Sequence, residues 1–192
     1  LGKTLRHLRL REKEGEDEYP YATDVASLLQ LVQMNALEFH TWGARVDAPE
    51  KPDRLVFDLD PDVGLDFNRV KEAAVRLRGL LQDLGLKSFP LLSGGKGLHV
   101  VAPLVPKFKS AEVKEATHLI SQSIVRSDPR GFTANMAKAK RTNKIFLDYL
   151  RNGRGATWIA PYAARARENA GVSMPIAWSE LRKVDPGKFN VP

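Results

Sequence analysis

Cysteine is absent from this chain of 192 residues, which removes disulfides, thiolate zinc sites and cysteine nucleophiles at one stroke. Long apolar runs are missing as well: no stretch could cross a bilayer and none has the character of a secretion signal. Internal repeats, low-complexity tracts and a clear linker are also lacking. What remains is an ordinary globular balance, 43% hydrophobic and 28% charged, with length enough for one substantial core. These absences fit a cytosolic protein. The first residue is Leu1 in place of Met, which points to a fragment or an expressed domain.

Acidic residues are scarce in the second half. Residues 107–192 carry 16 Lys/Arg against 7 Asp/Glu, whereas residues 1–106 carry 14 against 16, so the net charge of +7 is concentrated downstream. The basic group includes Arg126, Arg130, Lys138, Lys140, Arg141, Lys144, Arg151 and Arg154. Such clustering suits a polyanion held through salt-sensitive phosphate contacts. A basic surface that serves solubility alone has the same composition.

Against that background, two acidic sites stand inside runs that otherwise read as buried strands. They are Arg54-Leu55-Val56-Phe57-Asp58-Leu59-Asp60-Pro61-Asp62 and Ile145-Phe146-Leu147-Asp148-Tyr149-Leu150. Side chains alternate along a strand, so Asp58 and Asp60 project from one face about 7 Å apart. Two carboxylates so placed repel and resist desolvation unless a cation lies between them. Hard divalent ions take oxygen ligands, and Asp148 from a separate strand would complete a cage of the kind used in two-metal phosphoryl or nucleotidyl transfer. A lone D-x-D also fits acids that cap strand ends or accept from loop amides.

The coarse pattern predicts the rest of the architecture. Leu1 to Tyr21 reads as a strand and a turn whose partner precedes it. Asp24 caps a short helix bearing Val25, Leu28, Leu29 and Val32. Leu37–Trp42 alternates as a strand. Phe67, Val70, Ala74, Leu77, Leu81 and Leu84 define a helix closed by Gly85. Lys87–Ser93 and Leu98–Leu104 are strands, and Ser110 caps a helix with Val113, Ala116, Ile120 and Ile124 inward. Trp158–Arg167 and Val172–Ile176 read as strands and Trp178–Lys183 as a last helix. The expected fold is α/β of the α+β type, a mixed, largely antiparallel central sheet flanked by helices, in a single domain over residues 1–192.

Between two of those strands lies Ser93-Gly94-Gly95-Lys96-Gly97-Leu98-His99. Its glycines allow tight turns and close approach of backbone amides to an anion, and Lys96 adds a cation. The spacing is not that of a P-loop, and a plain glycine hairpin would look alike. Beside the acids it reads as a triphosphate cradle. Past Asp148, Arg151 and Arg154 offer planar forks suited to phosphate, or simply an Asp–Arg ion pair. His40, alternating with Phe39 and Thr41, fits a metal or nucleotide contact as well as a half-buried strand position.

Taken together, four segments in order resemble the polymerase domain of bacterial DNA ligase D, of the archaeo-eukaryotic primase superfamily. They are 52–62, 93–99, 144–152 and Pro161-Tyr162-Ala163-Ala164-Arg165-Ala166-Arg167; residues 37–43 and 175–178 look like it too. The resemblance implies a primase-like core in an N-terminally truncated chain. It implies that Asp58, Asp60 and Asp148 bind two Mn2+ or Mg2+ ions and are catalytic. Ser93, Lys96, His99, Arg151, Arg165 and His40 would bind the nucleoside triphosphate, and Arg141, Lys138, Lys140 and Arg154 the DNA. Implied too are addition of nucleotides to DNA ends or gaps in non-homologous end joining, Ku and a ligase domain as partners, and a cytoplasmic, nucleoid-associated setting.

The chain departs from the family pattern in two ways. The family domain carries more residues before the position of Leu1, and Ala163 stands where the tyrosine motif usually continues with Ser or Thr. Two rivals stay open at this point. A haloacid dehalogenase-type phosphatase would use Asp58 as nucleophile, although Val63 falls one place late for that motif. A non-catalytic DNA-binding module would need the basic half alone.

Overall fold

The computed structural model describes residues 5–191. Its contacts divide the chain into two compact units, Leu1–Glu38 and Phe39–Pro192. In the first, β1 (Arg6–Glu12) pairs antiparallel with β2 (Gly15–Tyr21), from Arg6 opposite Tyr21 to Glu12 opposite Gly15. The predicted strand therefore takes its partner from the chain that follows, because a tight turn at Lys13-Glu14 folds it back; its first residues, 1–4, lie outside the described region. Helix α1 (Val25–Gln33) starts where expected, with the Asp24 carboxylate accepting from the Ser27 amide at 2.8 Å.

The second unit contains β3 (His40–Trp42), β4 (Arg54–Pro61), α2 (Phe67–Asp83), β5 (Phe89–Ser93), β6 (Leu98–Pro103), α3 (Ser110–Ser127), β7 (Phe132–Thr133), β8 (Ile145–Asp148), β9 (Thr157–Ile159) and β10 (Ser173–Pro175). Six of these strands form one sheet in the order β10-β5-β6-β4-β8-β7, antiparallel throughout except for the parallel pair β7–β8. The expected mixed, largely antiparallel α+β architecture is the one observed. Among the described residues no helix is long and apolar enough to cross a membrane.

Strand parity decides which face becomes core. Leu55, Phe57 and Leu59 of β4, Leu98, Val100 and Ala102 of β6, and Ile145 and Leu147 of β8 all point to the side covered by α2 and α3. There they meet Val70, Ala74, Leu77 and Leu81 of α2 and Val113 and Ile124 of α3. The opposite face is covered in part by the β3–β9 ribbon, whose Trp158 packs on Val56 and Leu91.

Three predicted elements change, α3 in two respects. Ser110 is the first residue of α3, not its cap; Lys109 occupies the cap position, and its amide donates to the Glu112 carboxylate at 2.8 Å. The buried stripe of α3 runs Val113, Thr117, Ser121, Ile124; Ile120 is half-buried and packs against the core as expected, whereas Ala116 is exposed. A purely apolar reading misses that stripe because Thr117 and Ser121 satisfy their hydroxyls internally, on the carbonyls of Val113 (3.0 Å) and Thr117 (2.9 Å). The predicted strand 158–167 ends at Ile159, just before Pro161 and the left-handed Tyr162 (φ 65°). Residues 178–183 form turns where a helix was expected; the Trp178 indole is held by donation to the Ser88 carbonyl at 2.7 Å.

Candidate functional site

Each residue that breaks the apolar pattern lies on the sheet face away from the helices. Asp58 and Asp60 alternate with Phe57 and Leu59 on β4; His99 alternates with Leu98 and Val100 on β6; Asp148 follows Leu147 on β8. Register then brings them together. Asp58 is directly opposite His99 on one side and Asp148 on the other, so three polar side chains form a row across three adjacent strands.

Basic side chains stand against the carboxylates. The Arg151 Nε lies 3.1 Å from Asp148 Oδ2 and 3.5 Å from Asp58 Oδ2, and His99 Nε2 lies 3.4 Å from Asp58 Oδ1. Asp60 is flanked by Lys96 Nζ at 3.2 Å and Arg141 Nη1 at 3.4 Å. Lys96 also donates to the Pro61 carbonyl at 2.6 Å, and the Arg141 guanidinium stacks over the Phe146 ring at 3.7 Å. Asp148 further accepts from the Leu150 amide at 3.0 Å.

The two opposed carboxyls differ electrostatically. Burial works to raise that of Asp58, but the charges and hydrogen bonds of His99 and Arg151 outweigh it and hold the group below the ordinary carboxylate range. At Asp148 burial wins: reinforced by the like charge of Asp58, it pushes the carboxyl up despite the attraction of Arg151. In metal-free protein, carboxyl-carbon NMR should therefore show Asp148 gaining its proton first as pH falls and Asp58 last. Coincident titration of the two, or the reverse order, would contradict this assignment of charges.

The glycine bend closes the site. Ser93 donates its hydroxyl to the Gly97 carbonyl at 2.9 Å, and Gly94 is left-handed (φ 69°), as the tight turn requires. A β-carbon on Gly97 would stand 3.0 Å from the Leu59 carbonyl oxygen and 3.6 Å from Asp58 Oδ1, so the bare backbone is what lets the bend lie beside the acids. Arg165 donates to the Ser93 carbonyl at 3.1 Å.

One cleft is lined by Asp58, Asp60, Ser93, Lys96, His99, Arg151, Arg165 and His40. Eight of the predicted site residues thus share a single space. Asp148, 8% exposed, lies behind the Arg151 guanidinium, and Arg141 flanks the Asp60 end. Lys138 and Lys140 are exposed on a short 3-10 turn ahead of β8. Arg154 is set apart, its Nε donating to the Glu50 carboxylate at 2.7 Å, and it lines a different groove.

Three residues of this region had no part in the sequence-based site. Arg167 lines the cleft, with Nη1 3.3 Å from where a β-carbon on Gly95 would stand; its alternation with Arg165 was the available signal. Asn152 and Gly171 act through distant backbone and carry no local signal.

The donor set suits a hard divalent cation, since the carboxylates of Asp58, Asp60 and Asp148 lie on one face of the sheet. Among the described residues no three Asp, Glu or His side chains form a ready-made ligand cluster; Arg151 lies against Asp58 and Asp148, and Lys96 and Arg141 lie against Asp60. An ion at Asp58 and Asp148 would take over the charge balance that Arg151 supplies here.

Comparison with known proteins bears on this site. The family model described as the LigD primase-polymerase domain matches residues 2–192. The multifunctional non-homologous end joining protein LigD of Pseudomonas aeruginosa is 46% identical over 155 residues, 81% of this chain and 18% of that protein. The bifunctional LigD of Bacillus subtilis is 34% identical over 93% of this chain and 29% of its own length. The chain thus spans less than a third of either relative. The polymerase domain of Mycobacterium tuberculosis ligase D, solved in complex with DNA, superposes with a TM-score of 0.88 at 33% identity, covering 96% of this chain and 67% of that one.

Proposed function

The chain belongs to the family of LigD primase-polymerase domains, and on that basis we propose that it adds nucleotides to the 3′ end of a DNA primer at gaps or broken ends, as a template-directed nucleotidyltransferase of non-homologous end joining. The observation that carries this reading is the row His99–Asp58–Asp148 across three strands, facing a glycine bend that bears Ser93 and Lys96. An acid cluster beside an anion-binding turn is the arrangement phosphoryl chemistry needs, because that chemistry depends on alignment and charge stabilisation.

In the proposed reaction the primer 3′-oxygen bonds to the α-phosphorus of a nucleoside triphosphate, the bond to pyrophosphate breaks, and the hydroxyl proton passes to solvent. Asp58, Asp60 and Asp148 would hold two Mn2+ or Mg2+ ions. When bound, such ions supply acidification of the 3′-hydroxyl and neutralisation of charge on the departing pyrophosphate. Ser93, Lys96 and His99 hold the triphosphate at the bend, with Arg151 and Arg165 clamping phosphate oxygens and His40 at the rim. Arg141, Lys138 and Lys140 extend the positive surface to the DNA backbone, where salt-sensitive contacts set affinity. Arg154 is a weaker candidate for DNA, given its pairing with Glu50. Association with Ku and a ligase domain is part of the same proposal, resting on the resemblance to ligase D.

The test is primer extension on a gapped template. The expected result is Mn2+-dependent incorporation that stops when the ion is chelated. A protein that binds DNA equally with or without ion and nucleotide, yet extends no primer, would instead be a non-catalytic module. Trapping a phosphorylated Asp58 would point to the phosphatase chemistry of the haloacid dehalogenase type.

A further inference from the structure

Strand β8 stops one step short. Continuing the register that sets Asp148 opposite Asp58 would bring Leu150 opposite Val56, but the chain turns away into a 3-10 turn at Leu150–Asn152. Val56 is 1% exposed, so its amide and carbonyl on that side have no water to turn to. The Asn152 side chain takes both: Oδ1 accepts from the Val56 amide at 2.8 Å and Nδ2 donates to the Val56 carbonyl at 2.7 Å. The same Nδ2 donates to the Tyr149 carbonyl at 2.9 Å. One carboxamide, 5% exposed, thus completes the strand edge and fastens the turn 149–152 to β4 two residues from Asp58.

What hangs from that turn is Arg151. Its backbone adjoins Asn152, its Nη1 donates to the Thr157 carbonyl at 3.2 Å, and its Nε reaches Asp148 and Asp58. We propose that Asn152 is a positioning residue of the nucleotide site: by standing in for the missing strand residue it sets where the Arg151 guanidinium meets Asp58 and Asp148. The inference rests on the nucleotidyl-transfer reading for its kinetic consequence, though not for its structural one. Neither hydrogen-bonding role tolerates replacement. An aspartate can accept from Val56 but cannot donate to the two carbonyls, and an alanine does neither.

The experiment compares wild type with Asn152→Ala and Asn152→Asp by two readouts. The first is the Arg151 Nε–Hε cross-peak in 15N–1H spectra, assigned by its loss in Arg151→Lys. The second is the split of KM for nucleotide against kcat in primer extension. Both variants should keep the amide fingerprint of the fold, lose the distinct Arg151 peak and raise KM about 10- to 100-fold, the usual effect of removing an outer-shell partner. A folded Asn152→Asp protein with the Arg151 peak in place and an unchanged KM would overturn the proposal, whatever its melting temperature. So would a wild-type spectrum in which Arg151 gives no distinct peak. Should Asn152→Ala fail to fold, Asn152→Asp decides alone. If wild type extends no primer, the functional reading fails, while the response of the Arg151 peak still settles the role of Asn152.

Discussion

Replacing Asp58 by alanine is expected to lower primer extension by at least about 10³-fold while leaving the protein folded. Asp58 is the centre of the row: it is opposite His99 and Asp148 at once, and Arg151 reaches it from the turn beyond β8. Its removal takes the middle donor from any cation held on this face, leaves Arg151 without one of its two carboxylate partners and leaves His99 without the carboxylate opposite it. Asp148→Ala should be comparably severe, and the double variant hardly worse than either single one, because groups that act as a unit lose their function together. Circular dichroism and melting would separate loss of chemistry from loss of fold. Near-normal extension by Asp58→Ala would remove the acid row from the mechanism.

The second large effect is expected at Gly171, which lies far in sequence from Asp58, Asp60 and Asp148. Strand β10 pairs with β5, placing Ser173 opposite Ser93, and the chain entering β10 crosses the glycine bend. A β-carbon on Gly171 would fall on the Gly94 carbonyl oxygen, well inside contact distance, and 3.4 Å from Gly94 Cα. The crossing is tight from the other side as well, since a substituent on Gly94 would meet the Arg165 side chain at 2.8 Å and the Gly171 carbonyl at 2.9 Å. Gly171→Ala must therefore push the bend or Arg165 out of place. Extension should fall about 100-fold, the scale of an ångström's misplacement of a positioning group, with a stability loss of roughly 1–3 kcal/mol from overpacking. Kinetics at saturating nucleotide and a urea midpoint check both parts. Wild-type kinetics in this variant would mean that the bend does not hold substrate.

Much of this architecture was legible in advance. The acids, the glycine bend and the arginines each broke a pattern that burial imposes: a carboxylate in an apolar strand, three glycines where strands meet, cations beside an acid. The helix from Phe67 and the cap at Asp24 followed from spacing alone. The stripe of α3 was misread because hydroxyls that bond their own helix pass as core, and the strand through 158–167 because alternation continues past the point where Pro161 and Tyr162 turn the backbone. Asn152 and Gly171 were invisible for a different reason. Each owes its importance to one backbone group, Val56 or Gly94, that lies 96 or 77 positions away in the chain.

Parity is the part that belongs to the sequence alone. Alternation on β4, β6 and β8 obliges Asp58, Asp60, His99 and Asp148 to face away from whatever packs on Phe57, Leu98 and Leu147, since successive side chains leave a strand on opposite sides. Alignment belongs to the folded chain. That Asp58 meets Asp148 depends on hydrogen-bond register between segments 90 residues apart, and a slip of one place would set Leu59 there and turn the acid toward the helices. The helical core enforces the register, because only one alignment buries every apolar residue of the three strands together.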